Sequence, residues 1–291
     1  MKLDEILSRA PKALTQEQRE FFFANGYLKL DCFVTGRWLE RLCAVTSTMV
    51  ERSRALTKSD AMFDLEREHS AEHPRLRRLT QPVEHDPTYW EFASNSPITD
   101  VAEDLLGPNV KFHHSKLNFK AESGGVEVKW HQDFPFLPHT NSGMLTIGVY
   151  LDEVEANAPL GVVPGSHEGE LFSHYNDKDE WVGAIQKSDF ERAGIGKAVY
   201  LTGRAGTITV HSARAVHGSA QNESNSPRPL LLHMYTSGDA MPLTHNPLYS
   251  RYNFAMVRGR RPRWIDVDPR PIMLPPDFSV QEGGLFKTQY Q

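Results

Sequence analysis

The stretch WHQDFPF, Trp130 to Phe136, sets a histidine and an aspartate one residue apart. On a strand, side chains two apart face the same way, so His131 and Asp133 could direct a nitrogen and an oxygen into one pocket. That pairing suits a metal ion, but two ligands are not a site. With 13 histidines and 37 acidic residues among 291, chance alone supplies such a triplet. An Fe(II) centre made of two histidines and one carboxylate, leaving three positions open, needs a second histidine. His167, His174, His211, His217 and His233 are the downstream candidates. A lone histidine is more often a hydrogen-bonded core or surface residue than a ligand. His217 stands apart through its neighbourhood, HGSAQNESNSPRPLLLHMY, in which the strand enters a polar turn and a hairpin return would bring Arg228 close. A buried guanidinium calls for a carboxylate. The returning strand contains none, which points to a ligand as its partner. Ser219, two residues after His217, would share its face and add a hydroxyl.

These residues need a β framework to converge. From Val110 the chain breaks into strand-sized apolar, β-branched and aromatic runs separated by Gly, Pro and Asn: VKFHHSKLNFKA, MLTIGVYLDEV, LGVVPGS, AVYLTG, GTITVHS, AVHGSA and RPLLLHMYTS. Their spacing predicts an antiparallel barrel or sandwich. The first third reads mainly as helix. Thr15 with Glu17 and Gln18 opens a capped helix that Asn25-Gly26 closes, and YLKLDCF then alternates like a short strand. Trp38 to Leu56 puts Leu39, Leu42, Val45, Met49 and Val50 on one helical stripe, and Pro97 to Gly107 forms a helix closed by glycine. Lys58 to Pro82 is polar, and its Arg75, Arg77 and Arg78 are expected on a solvated face, with anion binding as the alternative. We expect one domain over 1–291: a helix-rich layer to about 108, a β core over about 109–240, and an irregular extension over 241–291.

Composition bounds the class. With 39% hydrophobic and 24% charged residues the chain reads as globular, and a net charge of −5 gives no reason to expect nucleic acid as a partner. Cys32 and Cys43 are too sparse for a disulfide scaffold. The first residues carry acids and glutamines where a signal peptide would be apolar, and no run has the length to span a bilayer. A cytoplasmic protein without membrane partners is therefore expected; oligomeric state is not readable.

Taken in order, WHQD, GVVPGSH, VHGSAQN and Arg228 eleven residues beyond His217 resemble the phytanoyl-CoA dioxygenase family of Fe(II)/2-oxoglutarate oxygenases, most strongly from His113 to Tyr235. The resemblance implies an α+β protein with a mainly β core, a cupin-like double-stranded β-helix or jelly roll carrying N-terminal helices. It implies His131, Asp133 and His217 as iron ligands, Arg228 as partner of the distal 2-oxoglutarate carboxylate with Ser219 assisting, and O2 as co-reactant. The segment HHSKLNFKAESGGVEVKWHQDF is similar to ectoine hydroxylases, which implies Lys120 and also Asn118 at the cosubstrate. It sets His114 where that branch has a substrate-facing glutamine. PFLPHTNSG replaces the aromatic and acidic signature of that branch, so ectoine itself is not expected as substrate. Phe134, Phe136 and His139 are the substrate contacts expected from this departing loop, with packing as the equal alternative. Related halogenases lack the carboxylate that Asp133 supplies, which favours hydroxylation or another oxidation. The expected substrate is a small polar or anionic metabolite. Two rivals stay open: a cupin-like metal enzyme that does not use 2-oxoglutarate, and a catalytically silent binding module of the same fold.

Overall fold

Thr15 accepts from the Gln18 N–H while the Gln18 side chain accepts from the Thr15 N–H, a reciprocal cap that starts a helix at Gln16. Gly26, with φ 76°, ends it and turns the chain into a strand. The computed structural model describes residues 3–155, 157–280 and 289. Its helices are α1 (Leu3–Leu7), α2 (Gln16–Asn25), α3 (Arg37–Ser53), α4 (Pro87–Asn95) and α5 (Pro97–Leu106). Its strands are β1 (Tyr27–Leu30), β2 (Phe63–Leu65), β3 (Leu76–Thr80), β4 (Val110–Asn118), β5 (Val128–His131) and β6 (Met144–Tyr150). They continue with β7 (Leu160–Val162), β8 (Val199–Leu201), β9 (Ile208–Ser212), β10 (His217–Ser219), β11 (Leu230–Ser237) and β12 (Met256–Arg258).

Two antiparallel sheets make the β core. Among the described residues the larger runs β1-β9-β6-β11-β4-β3-β2, with β12 also on β4, and the smaller runs β5-β10-β7-β8. This is the jelly roll the sequence predicts. Strand alternation divides the large sheet cleanly. Leu117, Leu145, Ile147, Val149, Val210 and Leu231 turn outward onto Leu42, Met49, Phe92, Ile98 and Val101 of the helices, forming the main core. The intervening residues of the same strands face the small sheet. On β4 the pairing slips by one residue, because Met234 opposes His114 while Tyr235 opposes Phe112, leaving His113 as a bulge.

Three expectations need correction. Arg75–Arg78 is not a solvated face: β3 runs through it, Arg78 is buried, Arg75 pairs with Glu122, and Arg77 pairs with Glu66. The alternation Leu76/Arg78 against Arg77 hides one charged side chain inside a short run that reads as polar. Besides β1, expected from YLKLDCF, the helix-rich layer contributes β2 and β3 to the large sheet. The C-terminal extension is not wholly irregular, since β12 pairs with β4. No described helix is long and apolar enough to cross a membrane.

Candidate metal and cosubstrate site

β5 and β10 lie side by side in the small sheet with His131 directly opposite His217. Their imidazole centroids are 4.1 Å apart. His131 Nδ1 is 2.8 Å from the Lys129 carbonyl and His217 Nδ1 2.9 Å from the Ala215 carbonyl. Each ring therefore donates its Nδ1–H to the backbone two residues earlier, which fixes the tautomer with a free Nε2 lone pair. Asp133 does not continue β5 as the sequence suggested. The strand ends at His131, and a turn braced by Gln132 carries Asp133 to the same point. The Gln132 side chain donates to the Arg214 carbonyl at 2.6 Å and accepts from the Phe172 N–H at 2.9 Å.

Thr146 of β6 donates to Asp133 Oδ2 at 3.2 Å, and His211 Nε2 of β9 lies 3.6 Å from the same oxygen. One ligand atom from each of His131, Asp133 and His217 falls within 4.8 Å of the others, and all three residues are buried. Burial, and then the neighbouring imidazole of His217, holds His131 well below its ordinary pKa. Burial with His211 beside it brings His217 down to about 4. Burial alone would raise Asp133, but His211, Lys116, His217 and His131 overcome it and keep the carboxyl well below its usual range. Two neutral imidazoles and one carboxylate, locked in orientation and converging, fit an octahedral Fe(II) with an open face.

The pocket beside this triad is lined by Ser219, Arg228, Asn118, Lys116, Thr146 and His211, with Val128, Leu160, Leu230 and Leu232 as apolar walls. Arg228 is 2% exposed, and its Nε and Nη1 have no hydrogen-bond partner among the described residues. Burial pulls its pKa down to about 10. A desolvated guanidinium with two free donors fits the carboxylate of a small diacid. It does not reach the site by a hairpin, as the sequence suggested: β10 and β11 belong to different sheets. The polar turn after Ser219 crosses between them, and Arg228 exchanges backbone hydrogen bonds with Lys120 at 2.9 and 3.2 Å.

Lys120 stands behind the lining, its Nζ donating to the carbonyls of Ser219 and Ala220, and burial lowers its pKa to about 6. Asn118 faces the pocket and accepts from Arg78 Nε at 3.3 Å. His114 is buried two rows further along, its Nδ1 2.8 Å from His113 Nδ1. His139 packs against His113 and Phe254. Phe134 sits in a small cluster with Met144 and Met234, while Phe136 meets the His131 ring edge-on at 5.9 Å. These four residues form packed walls around the lining. The rival histidines have other places. His174 Nε2 accepts from the Gln132 N–H, His167 bonds the Phe23 carbonyl, and His233 packs against Phe92 and Phe112. Thr146 and Lys116 escaped assignment from sequence, although Lys116 shares the alternating face of His114 and Asn118; His211, a candidate ligand by sequence, stands beside Asp133 instead.

Residues 22–230 match the phytanoyl-CoA dioxygenase (PhyH) family. The chain is 32% identical over 279 residues to the "Probable alpha-ketoglutarate-dependent hypophosphite dioxygenase" of Stutzerimonas stutzeri, covering 94% of this chain and 96% of that protein. It is 30% identical over 237 residues to an ectoine dioxygenase of Sphingopyxis alaskensis, covering 73% of this chain and 70% of that one. The crystal structure of EctD from S. alaskensis with bound Fe shares the fold at a TM-score of 0.66 and 24% identity, over 93% of this chain and 94% of that one.

Proposed function

The chain belongs to the phytanoyl-CoA dioxygenase family and is an Fe(II)/2-oxoglutarate-dependent dioxygenase. From that premise we propose that it hydroxylates an unactivated C–H bond of a small polar or anionic metabolite, such as an amino-acid derivative, an aminophosphonate or a natural-product intermediate. The observation that carries this reading is the pairing of the His131/Asp133/His217 triad with a buried Arg228 whose free donors face the same pocket. Iron, 2-oxoglutarate and O2 together supply the oxidising chemistry, with succinate and CO2 as co-products. The chain supplies position and exclusion of water. The backbone carbonyls of Lys129 and Ala215 hold the two imidazoles, and Thr146 holds Asp133 as a pure acceptor. Arg228 takes the distal carboxylate with Ser219 and Asn118 beside it, while Lys120 fixes the strand end that presents Ser219. Val128, Leu160, Leu230 and Leu232 keep the reacting region dry. His114, Phe134, Phe136 and His139 shape the substrate side from behind.

The relative from S. stutzeri favours a second reading, oxidation of a P–H bond in hypophosphite. A screen decides between them: the protein is loaded anaerobically with Fe(II) and 2-oxoglutarate, then given O2 with amino-acid derivatives, aminophosphonates or hypophosphite. One class should raise succinate release above the uncoupled background and yield an equal amount of oxidised product. His131→Ala and Asp133→Ala should lose that activity with unchanged circular dichroism. Full activity in either variant, or no substrate-stimulated succinate across the panel, would sink the proposal.

A further inference from the structure

The inner face of the large sheet is a ladder whose rows can be ranked by distance from Arg228. Arg228 pairs with Lys120. Along β11 the next rows are Leu230 with Asn118 and Tyr150, Leu232 with Lys116 and Gly148, and Met234 with His114 and Thr146. Lys116 therefore lies two rows beyond Arg228, roughly 13 Å along the strand. From Thr146, which holds Asp133, it is one row along the strands and two strands across the sheet, roughly 12 Å between backbones, and its side chain lines the same pocket as Asp133. A five-carbon diacid anchored at Arg228 is shorter than the separation between the Arg228 and Lys116 rows.

Charge is unequal along this ladder. The charges of Fe(II), the 2-oxoglutarate dianion, Asp133 and Arg228 cancel. Lys120 is behind the lining with its Nζ on two carbonyls, and Arg78 bonds Asn118. Lys116 lines the pocket, yet it has no hydrogen-bond or ion-pair partner among the described residues. Its row neighbours Leu232 and Gly148 carry no charge, and Asp133 is the one carboxylate lining the pocket among the described residues. A half-buried ammonium in that position lacks a counter-ion once the metal has taken Asp133.

We infer that Lys116 is the anchor for the substrate's anionic group, and that the substrate is a small anion oxidised on, or immediately beside, the atom bearing that group. Lys116 lines the same pocket as His131, Asp133 and His217, and its charge acts on Asp133, which sets this adjacency. Carboxylate, phosphonate and phosphinate groups all present the required oxygen acceptors. The inference rests on the Fe(II)/2-oxoglutarate reading of the site and sharpens its substrate class.

The test is calorimetric and anaerobic, with wild type, Lys116→Met and Lys116→Arg, each loaded with Fe(II). Titration with 2-oxoglutarate comes first and should give equal affinities for all three proteins, which also shows the variants folded. Hypophosphite and methylphosphonate are then titrated into each complex, with methylammonium as the cationic control. Wild type should bind at least one anion and not methylammonium. Lys116→Met should weaken that binding about tenfold to a hundredfold, as expected for loss of one charge-assisted contact, and Lys116→Arg should recover most of it. Equal anion affinity in Lys116→Met, or no anion binding by wild type, overturns the anchor. A fall in 2-oxoglutarate affinity in Lys116→Met assigns the lysine to the cosubstrate and overturns it too. Failure of wild type to bind 2-oxoglutarate in an Fe(II)-dependent way overturns the reading of the site itself, and the inference with it.

Discussion

Arg228 is the residue at which burial and function conflict most openly. A guanidinium 2% exposed with two unpartnered nitrogens destabilises the chain alone, because desolvation of an ion costs several kcal/mol unless it is paired. Two effects of Arg228→Ala should therefore diverge. Affinity for 2-oxoglutarate should fall about tenfold to a hundredfold by calorimetry, the loss expected for one charge-assisted pair. Melting of the metal-free protein should stay level or rise. A lower melting temperature with unchanged affinity would make Arg228 a structural residue. The triad, Ser219 and Arg228 were legible in sequence because a short ordered motif carries them. Lys116 and Thr146 were not, and His211 was only one of five candidate ligands, since what brings them inward is strand register across β4, β6 and β9, and register is a property of neighbours.

The strands themselves were legible where apolar and β-branched residues run between turn signals, as in β4, β6, β9 and β11. β2, β3 and β12 are short, rich in charge and dependent on an existing edge, so alternation had little length in which to show. The turn after β10 was misread as a hairpin because sequence shows that a chain returns but not to which sheet. Within the small sheet, Gly161 and Gly218 form a pair beneath the Trp130 indole. A Cβ at Gly218 would lie 2.9 Å from the Val128 carbonyl and 3.1 Å from Trp130 Cδ2. Because Trp130 precedes one ligand and Gly218 follows the other, crowding here reaches both imidazoles. Gly218→Ala should cost about 1–3 kcal/mol, as overpacking does, and weaken Fe(II) binding, measured by denaturant unfolding and metal titration. Retention of wild-type metal affinity would show that β5 and β10 can part without moving the ligands.

The whole molecule buries an unusual set of neutral imidazoles. Burial brings His139 down to about 4 and His174 and His233 to about 3, against about 6.5 for an unfolded histidine. Between those values the unfolded chain binds more protons. Stability is therefore complete above pH ~6.5 and falls as pH drops toward 4, by about 1.4 kcal/mol per pH unit for each group fully engaged. Denaturant unfolding in half-unit steps should show that slope; a flat profile from 6.5 to 4.5 would mean these histidines are protonated in the fold. The division of the site between two sheets has a mechanical corollary. Both histidine ligands stand on the small sheet, whereas the threonine that grips Asp133 stands on the large one and Arg228 on the segment that leads into its strand β11. A diacid that spans metal and guanidinium is then a cross-brace between two leaves, able to carry load only when both ends are fastened. Melting should show this as synergy: metal and 2-oxoglutarate together should raise the midpoint by more than the two separate increments, and Arg228→Ala should reduce the response to that of metal alone.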